Sequence, residues 1–152
     1  WHYQGLALER MENPEKARER FERACALDPD QFPVPEQDPT IDWDALLENA
    51  TKRLPDRIRD FVVDVPIAFA PFPAVADLLE NCPPLSPFTD ALYRGTPPSN
   101  GADPWTSRPT RITLFTANLT RPSSESEDLV TRIEEALVHE AMHWLGMTKL
   151  PA

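Results

Sequence analysis

The spacing of apolar residues predicts two helices at the start of the chain, joined by a turn. Apolar positions recur with a helical period through residues 1–28, and the period breaks between Glu12 and Pro14. Pro14 falls where a second helix begins, and proline suits the first turn of a helix because it has no N–H group to leave unpaired. The segment is therefore predicted to be a helical hairpin.

A proline-rich stretch separates this hairpin from the rest of the chain. Three prolines lie within seven residues, from Pro33 to Pro39. Proline removes a backbone donor and fixes φ, so this stretch is unsuited to a helix or a central strand. We predict a hairpin at residues 1–34, a linker at residues 35–41 and a second domain at residues 42–152.

The second domain is predicted to begin with a helix and to continue with strands. Helical spacing starts at Asp42, which can cap the helix, and runs to Arg53. Residues 71–87 are predicted to be mostly loop, with a short helical turn at residues 74–80. Strands are predicted where β-branched residues cluster or where polar and apolar residues alternate, at residues 61–65, 91–95 and 110–117.

The last predicted element is an amphipathic helix that ends at Gly146. Apolar residues form a wide helical face from Leu129 to Leu145. Ser124 or Ser126 is predicted to cap its start, and the acidic residues that follow suit the positive end of a helix dipole. Gly146 is typical of the residue that stops a helix.

Composition and charge narrow the class of protein. The 152 residues, 41% of them hydrophobic, suffice for one globular domain and a small appendage. A net charge of -10 argues against nucleic acid or an anionic membrane as the main partner. The chain has no membrane-spanning apolar run and no signal-peptide pattern at its start, so we expect a cytoplasmic protein. Cys25 and Cys82 lack CxxC spacing and are expected to be buried free thiols.

The last helix carries a pattern that is typical of zinc sites. His139 and His143 lie one helical turn apart, so both imidazoles can bind a single Zn²⁺ ion. Glu140 completes the HExxH pattern, and it can take a proton from a metal-activated water and pass it to the leaving amine of a peptide bond. Gly146 follows His139 by seven residues and lets the chain turn back toward the metal.

The N-terminal hairpin resembles a tetratricopeptide repeat. The small, aromatic and terminating residues of that repeat correspond to Gly5, Ala17, Phe21, Ala24 and Pro29. A generic amphipathic hairpin is the alternative. Because one repeat cannot bury its apolar face alone, the resemblance implies packing on further repeats or on the following domain, and a protein partner for the hairpin.

Residues from about 42 to 147 resemble the small bacterial zincin-like metallopeptidases, sometimes called minimal metalloproteases. The resemblance includes residues 92–97 and the strand at residues 111–115, and its most specific part is the HExxHxxG pattern from His139 to Gly146. It implies an α+β fold in which a small mixed sheet packs on the HExxH helix, with the helical hairpin in front.

The same resemblance implies the roles of the site residues. His139 and His143 correspond to the zinc ligands, and Glu140 corresponds to the general base of a hydrolase. The strand at residues 110–117 corresponds to the zincin edge strand, which holds an extended peptide by backbone pairing. The implied cofactor is Zn²⁺ and the implied partner is a peptide or protein substrate.

The third zinc ligand departs from the family pattern. That pattern places Asp or His ten residues after the first histidine, where this chain has Lys149, whose ammonium group has no lone pair. Glu135 lies one turn before His139 on the same helix face and is a candidate substitute, although it points back along the helix. His2 is expected to be a surface or packing residue. Three outcomes stay open: a two-histidine site completed by water or another chain, a ligand from sequence after Ala152, and a fold that has lost its activity.

Two functions from different classes follow from this pattern. The favoured hypothesis is a zinc-dependent metallopeptidase that hydrolyses peptide bonds with a metal-activated water. The alternative is a catalytically inactive zincin-like binding or scaffold protein that acts through the helical hairpin. Lys149 favours the alternative, whereas Glu140 favours the peptidase, because an inert domain has no chemical need for that carboxylate.

Overall fold

The computed structural model describes residues 1–35, 38–99, 101–120 and 128–149. The chain forms two compact units, Trp1–Pro39 and Thr40–Ala152. Each unit has its own cluster of buried apolar side chains. Within the described ranges, no helix has both the length and the apolar character that a membrane crossing requires.

The first unit is the predicted helical hairpin. Helix α1 covers His2–Arg10 and helix α2 covers Pro14–Leu27. Pro14 occupies the first turn of α2, as predicted, and the side-chain oxygen of Asn13 accepts a hydrogen bond from the N–H of Lys16 at 3.4 Å. The start of α2 is therefore set by two adjacent residues, one of which caps the helix while the other fixes its first turn.

A glycine allows the two helices of the hairpin to approach closely. The buried cluster of this unit consists of Leu6, Ala17 and Phe21. A Cβ atom added at Gly5 would lie 2.6 Å from a ring carbon of Phe21, so a larger residue does not fit there. The ring of His2 packs beside Phe21, with 5.5 Å between centroids, which agrees with the predicted packing role of this histidine.

The second unit mixes helices with one small sheet. Helix α3 begins at its predicted cap, where the Asp42 carboxylate accepts a hydrogen bond from the N–H of Ala45 at 3.1 Å. The predicted helical turn at residues 74–80 and the predicted strands at residues 91–95 and 110–117 are present, but the last strand ends at Phe115, and Thr116 and Ala117 belong to a short helix. In chain order the elements are α3 (Trp43–Arg53), α4 (Asp56–Val62), β1 (Ile67–Ala70), α5 (Val75–Leu79), β2 (Ala91–Arg94), a 3-10 helix (Pro104–Thr106), β3 (Arg111–Phe115), α6 (Thr116–Leu119) and α7 (Leu129–Leu145).

The three strands form a mixed sheet in the order β1-β3-β2, with β3 parallel to β1 and antiparallel to β2. The prediction that residues 110–117 form an edge strand is therefore wrong. The central strand forms backbone hydrogen bonds on both sides. The N–H of Ile112 donates to the carbonyl of Pro66, and the N–H of Phe115 donates to the backbone carbonyl of Asp90. The edges of the sheet belong to β1 and β2.

The β-branched run at residues 61–65 is not a strand, which corrects the prediction. Phe61 and Val62 end helix α4, and strand β1 starts only after Pro66. Together with Ile58, these two side chains form a buried helical face with spacings of three and four residues. Burial of that face outweighs the local preference of valine for extended backbone.

Helix α7 lies at the centre of the second core. Ile133, Leu137 and Ala141 are completely buried. They belong to the same cluster as Ile112 and Leu114, the residues of β3 that point to one face of the sheet. The helix therefore joins the sheet to the remaining helices of the unit.

The ends of α7 are set by local signals. Asp128 caps the start, and its carboxylate accepts a hydrogen bond from the N–H of Thr131 at 2.7 Å. The caps predicted at Ser124 and Ser126 lie outside the described residues. Gly146 ends the helix in the left-handed conformation with φ of 65°, as predicted.

The two cysteines differ in exposure. Both are free, but Cys25 is partly buried and Cys82 is exposed. The prediction of two buried thiols is therefore wrong, most clearly for Cys82. This residue lies in the loop after α5, between exposed Asn81 and Pro83, where no packed element covers it.

Replacing Gly5 with alanine is expected to destabilise the hairpin by about 1–2 kcal/mol. The added methyl group would overlap the Phe21 ring, and this overlap outweighs the roughly 1 kcal/mol that alanine gains over glycine in helix propensity. Urea denaturation of the full chain and amide hydrogen exchange in α1 and α2 measure the change. In a Phe21→Leu background the penalty should shrink, and an equal penalty in both backgrounds would contradict the packing explanation.

Candidate metal centre

The two histidines of the HExxH pattern lie side by side on α7. Their ring centroids are 4.3 Å apart, with an angle of 41° between the ring planes. Both residues are exposed, and both line a cavity of about 590 Å³. The imidazoles of His139 and His143 therefore face the same accessible space, as one turn of helix requires.

The cavity extends from the histidines along one face of the sheet. Its other wall includes α5, through Asp77 and the neighbouring Glu80. Paired positions on antiparallel strands share a face, so the residues on the core side of β3 are absent from this lining. The sheet residues that line it are Ala70 of β1, Leu92, Tyr93 and Arg94 of β2, and Arg111, Thr113 and Phe115 of β3.

Glu140 is a buried acid at the same cavity. It is only 5% exposed, and its Oε2 accepts a hydrogen bond from the backbone N–H of Tyr93 at 3.0 Å. Tyr93 lies on β2, an edge strand of the sheet, and this N–H is directed to the helix and not to β3. The edge of the sheet thus holds the carboxylate at the cavity that both imidazoles line.

The surroundings of Glu140 favour its neutral form. Burial raises the pKa of this carboxyl from 4.5 to about 7, and the hydrogen bond from the Tyr93 N–H opposes the rise only in part. A carboxyl group with a pKa close to neutrality can both accept and release a proton under physiological conditions. That property is the one that a general base and acid needs.

His143 is also perturbed, in the opposite direction. Although His143 is exposed, neighbouring protein groups remove part of its hydration, and this loss, followed by the effect of His139, lowers the pKa of His143 below its ordinary value. A lower pKa keeps the ring neutral at physiological pH. Neutral imidazole is the form that binds a metal ion.

A third protein ligand is missing beside the histidines in the part of the chain that the structure describes. No group of three His, Cys, Asp or Glu side chains there is arranged to hold a metal. Lys149 is exposed and cannot coordinate, and Glu135 is exposed and does not line the cavity. The donor set fits zinc through two imidazoles, which leaves the other positions to water or to a ligand from another source.

The sequence pattern identified three side chains that the structure places together, His139, Glu140 and His143. It did not identify the backbone N–H of Tyr93, because a main-chain donor has no sequence signal. It also missed the arginines of the cavity. The alternation along β3 could have indicated that Arg111 shares a face with Thr113, but not that this face lines the cavity.

Removing the charge of Glu140 is expected to stabilise the metal-free protein above neutral pH. Because burial raises the pKa of Glu140 from 4.5 to about 7, the folded state binds this proton more tightly than the unfolded state, and stability falls as the pH rises between these values. In EDTA near pH 8, Glu140→Gln should be more stable than the wild type by about 3 kcal/mol. Near pH 5 the difference should fall below about 1 kcal/mol.

The measurement is urea denaturation of both proteins across this pH range. Asp60→Asn is the control for the loss of one negative charge, since Asp60 is an exposed residue on α4. If Glu140→Gln is less stable than the wild type at pH 8, burial of the Glu140 carboxylate does not lower the free energy of unfolding as expected.

Comparison with known families agrees with the geometry of the site. The model of the family described as Zincin-like metallopeptidase matches residues 62–149, and that of the Tetratricopeptide repeat matches residues 1–31. Comparison with curated proteins and with solved structures finds no match. The first match spans more than half of the chain and includes helix α7 with both histidines. On this basis, the chain belongs to the zincin-like metallopeptidase family.

Proposed function

We propose that this chain is a zinc-dependent peptidase in which His139 and His143 hold the metal and Glu140 is the general base. The observation that carries the proposal is the position of the Glu140 carboxylate. It is buried, fixed by a backbone hydrogen bond from Tyr93, and lines the same cavity as both imidazoles. Water, or a ligand from outside the described residues, completes the coordination.

Zinc, when bound by the two imidazoles, polarises a peptide carbonyl and makes a nearby water more acidic. The remaining chemistry belongs to Glu140. Its carboxylate takes a proton from the attacking water, whose oxygen adds to the carbonyl carbon, and the carboxyl then gives this proton to the nitrogen as the C–N bond breaks. The hydrogen bond from the Tyr93 N–H occupies Oε2 and keeps the group in place.

The loss of folding stability that the buried carboxylate of Glu140 causes favours a peptidase over an inert domain. A buried carboxylate reduces stability unless it is well compensated, and one backbone hydrogen bond compensates it only in part. A domain without activity would gain stability from a neutral residue at this position. Retention of stability-reducing groups is characteristic of functional sites.

A second candidate function rests on Lys149. An exposed lysine at the position of the third family ligand suits a domain that no longer hydrolyses peptides. In that case the chain is a binding or scaffold protein, and the hairpin at residues 1–34 recruits a protein partner. The match of residues 1–31 to the tetratricopeptide repeat family supports this role for the hairpin.

The wild-type chain is expected to bind one zinc ion, and the double variant His139→Ala/His143→Ala is expected to lose it. Elemental analysis after dialysis and titration calorimetry measure this, with His2→Ala as the matched control because His2 lies in the hairpin unit. Loss of zinc in Glu135→Gln would identify the third ligand. Absence of zinc from the wild type, or its retention in the double variant, would reject the metal centre.

Glu140→Gln is expected to reduce hydrolysis of a quenched fluorescent peptide library by about 100-fold or more, with zinc content unchanged. The amide keeps the shape of the side chain but cannot take up the proton. Asp60→Asn, on the exposed surface of α4, should retain full activity. Unchanged hydrolysis in Glu140→Gln would reject the mechanism, and an inactive, zinc-loaded wild type would favour the scaffold.

A further inference from the structure

Two arginines face each other across the sheet surface that lines the cavity. Arg94 of β2 and Arg111 of β3 are directly paired positions on antiparallel strands, and both line the cavity that contains the histidines. Neighbouring strands lie about 4.8 Å apart, so the two arginine side chains are attached at adjacent backbone positions. Like charges at directly opposed positions destabilise a sheet unless other charges compensate them.

Only one of these charges is neutralised by the protein. A guanidinium nitrogen of Arg94 lies 2.6 Å from a carboxylate oxygen of Asp77 on α5. Arg111 is exposed and, unlike Arg94, forms no ion pair within the described ranges, although Glu80 lines the same cavity. The chain has 25 acidic residues against 15 Lys and Arg residues, so an unpaired cation at this place is not explained by a shortage of acids.

The surroundings of Arg111 suit an anionic group from outside the chain. Guanidinium binds carboxylates through two parallel hydrogen bonds, which makes arginine the usual residue for this recognition. Thr113 lies two residues along β3 on the same face and also lines the cavity, so its hydroxyl provides a further polar contact. Because Asp77 balances the charge of Arg94, the uncompensated positive charge at this pair of positions belongs to Arg111.

We propose that Arg111 is a specificity-determining residue that binds a carboxylate of the peptide substrate. The carboxylate is either an acidic side chain or the C-terminus of the peptide. This inference rests on the proposed function, because the peptidase reaction is what places a peptide in the cavity. The site thereby selects carboxylate-bearing peptides over neutral ones, despite the negative net charge of the protein.

The test uses three alanine-based hexapeptides and the metal-free full chain. One peptide has a single glutamate and blocked ends, the second has glutamine in its place, and the third has glutamine and a free C-terminal carboxylate. Binding is followed by ¹⁵N–¹H NMR titration, including the side-chain Nε–H signal of Arg111. At least one carboxylate-bearing peptide should bind about tenfold more tightly than the neutral peptide.

Variants separate the cavity charge from general electrostatics. Arg111→Gln should abolish the preference, whereas Lys52→Gln, which removes an exposed charge of α3 paired with Glu48, should retain it. If the glutamate peptide binds more tightly than the neutral peptide, the subsite accepts an acidic side chain. If the peptide with the free C-terminal carboxylate binds more tightly, the subsite accepts the C-terminus. Equal binding of all three peptides, no binding of any, or a preference that survives in Arg111→Gln would overturn the proposal.

Hydrolysis by the zinc-loaded protein distinguishes this proposal from the proposed function. Preferential binding without hydrolysis of any peptide supports the carboxylate subsite and rejects the peptidase. Hydrolysis with the same kcat/KM for acidic and neutral peptides supports the peptidase and overturns the role of Arg111. Preference in kcat/KM that Arg111→Gln removes supports both.

Discussion

A carboxylate on the core-facing side of helix α7 is the constraint on which the second unit depends. Glu140 follows Ile133 by seven residues and Leu137 by three, so helical geometry places it among the buried residues of α7. The histidines on either side of it in the HExxH pattern rotate outward into the cavity. One helix therefore supplies the centre of the core and the candidate chemistry, and the junction between them is a buried acid.

The strand order β1-β3-β2 provides a hydrogen-bond donor for the buried carboxylate of Glu140. A central strand uses its backbone groups on both sides, so only an edge strand has an N–H available for the carboxylate. Strand β2 is such an edge, and the N–H of Tyr93 donates to Glu140. On the face of the sheet opposite the buried core, Arg94 of β2 and Arg111 of β3 line the cavity. The pairing of β2 with β3 therefore sets the positions of both Glu140 and the proposed carboxylate subsite.

Most elements with strong local signals were predictable from the sequence. Helix caps such as Asp42, the proline that opens α2 and the glycine that ends α7 act within a few residues, and the structure uses them as predicted. The run at residues 61–65 was not predictable in this way. Its valines favour a strand locally, but the adjoining apolar residues complete a helical face that the core buries, so nonlocal packing decided its conformation.

The sequence by itself determined the candidate chemistry, because HExxH spacing lies on one helix and four residues span one turn whatever surrounds it. It also determined the helical hairpin, whose helix start and turn are local features. Only the tertiary structure decided that β3 is central, that Tyr93 holds Glu140, and that Arg111 lies in the cavity without an acidic partner in the described chain. These features join residues far apart in the chain, and strand order and burial are set by packing, which no local spacing encodes.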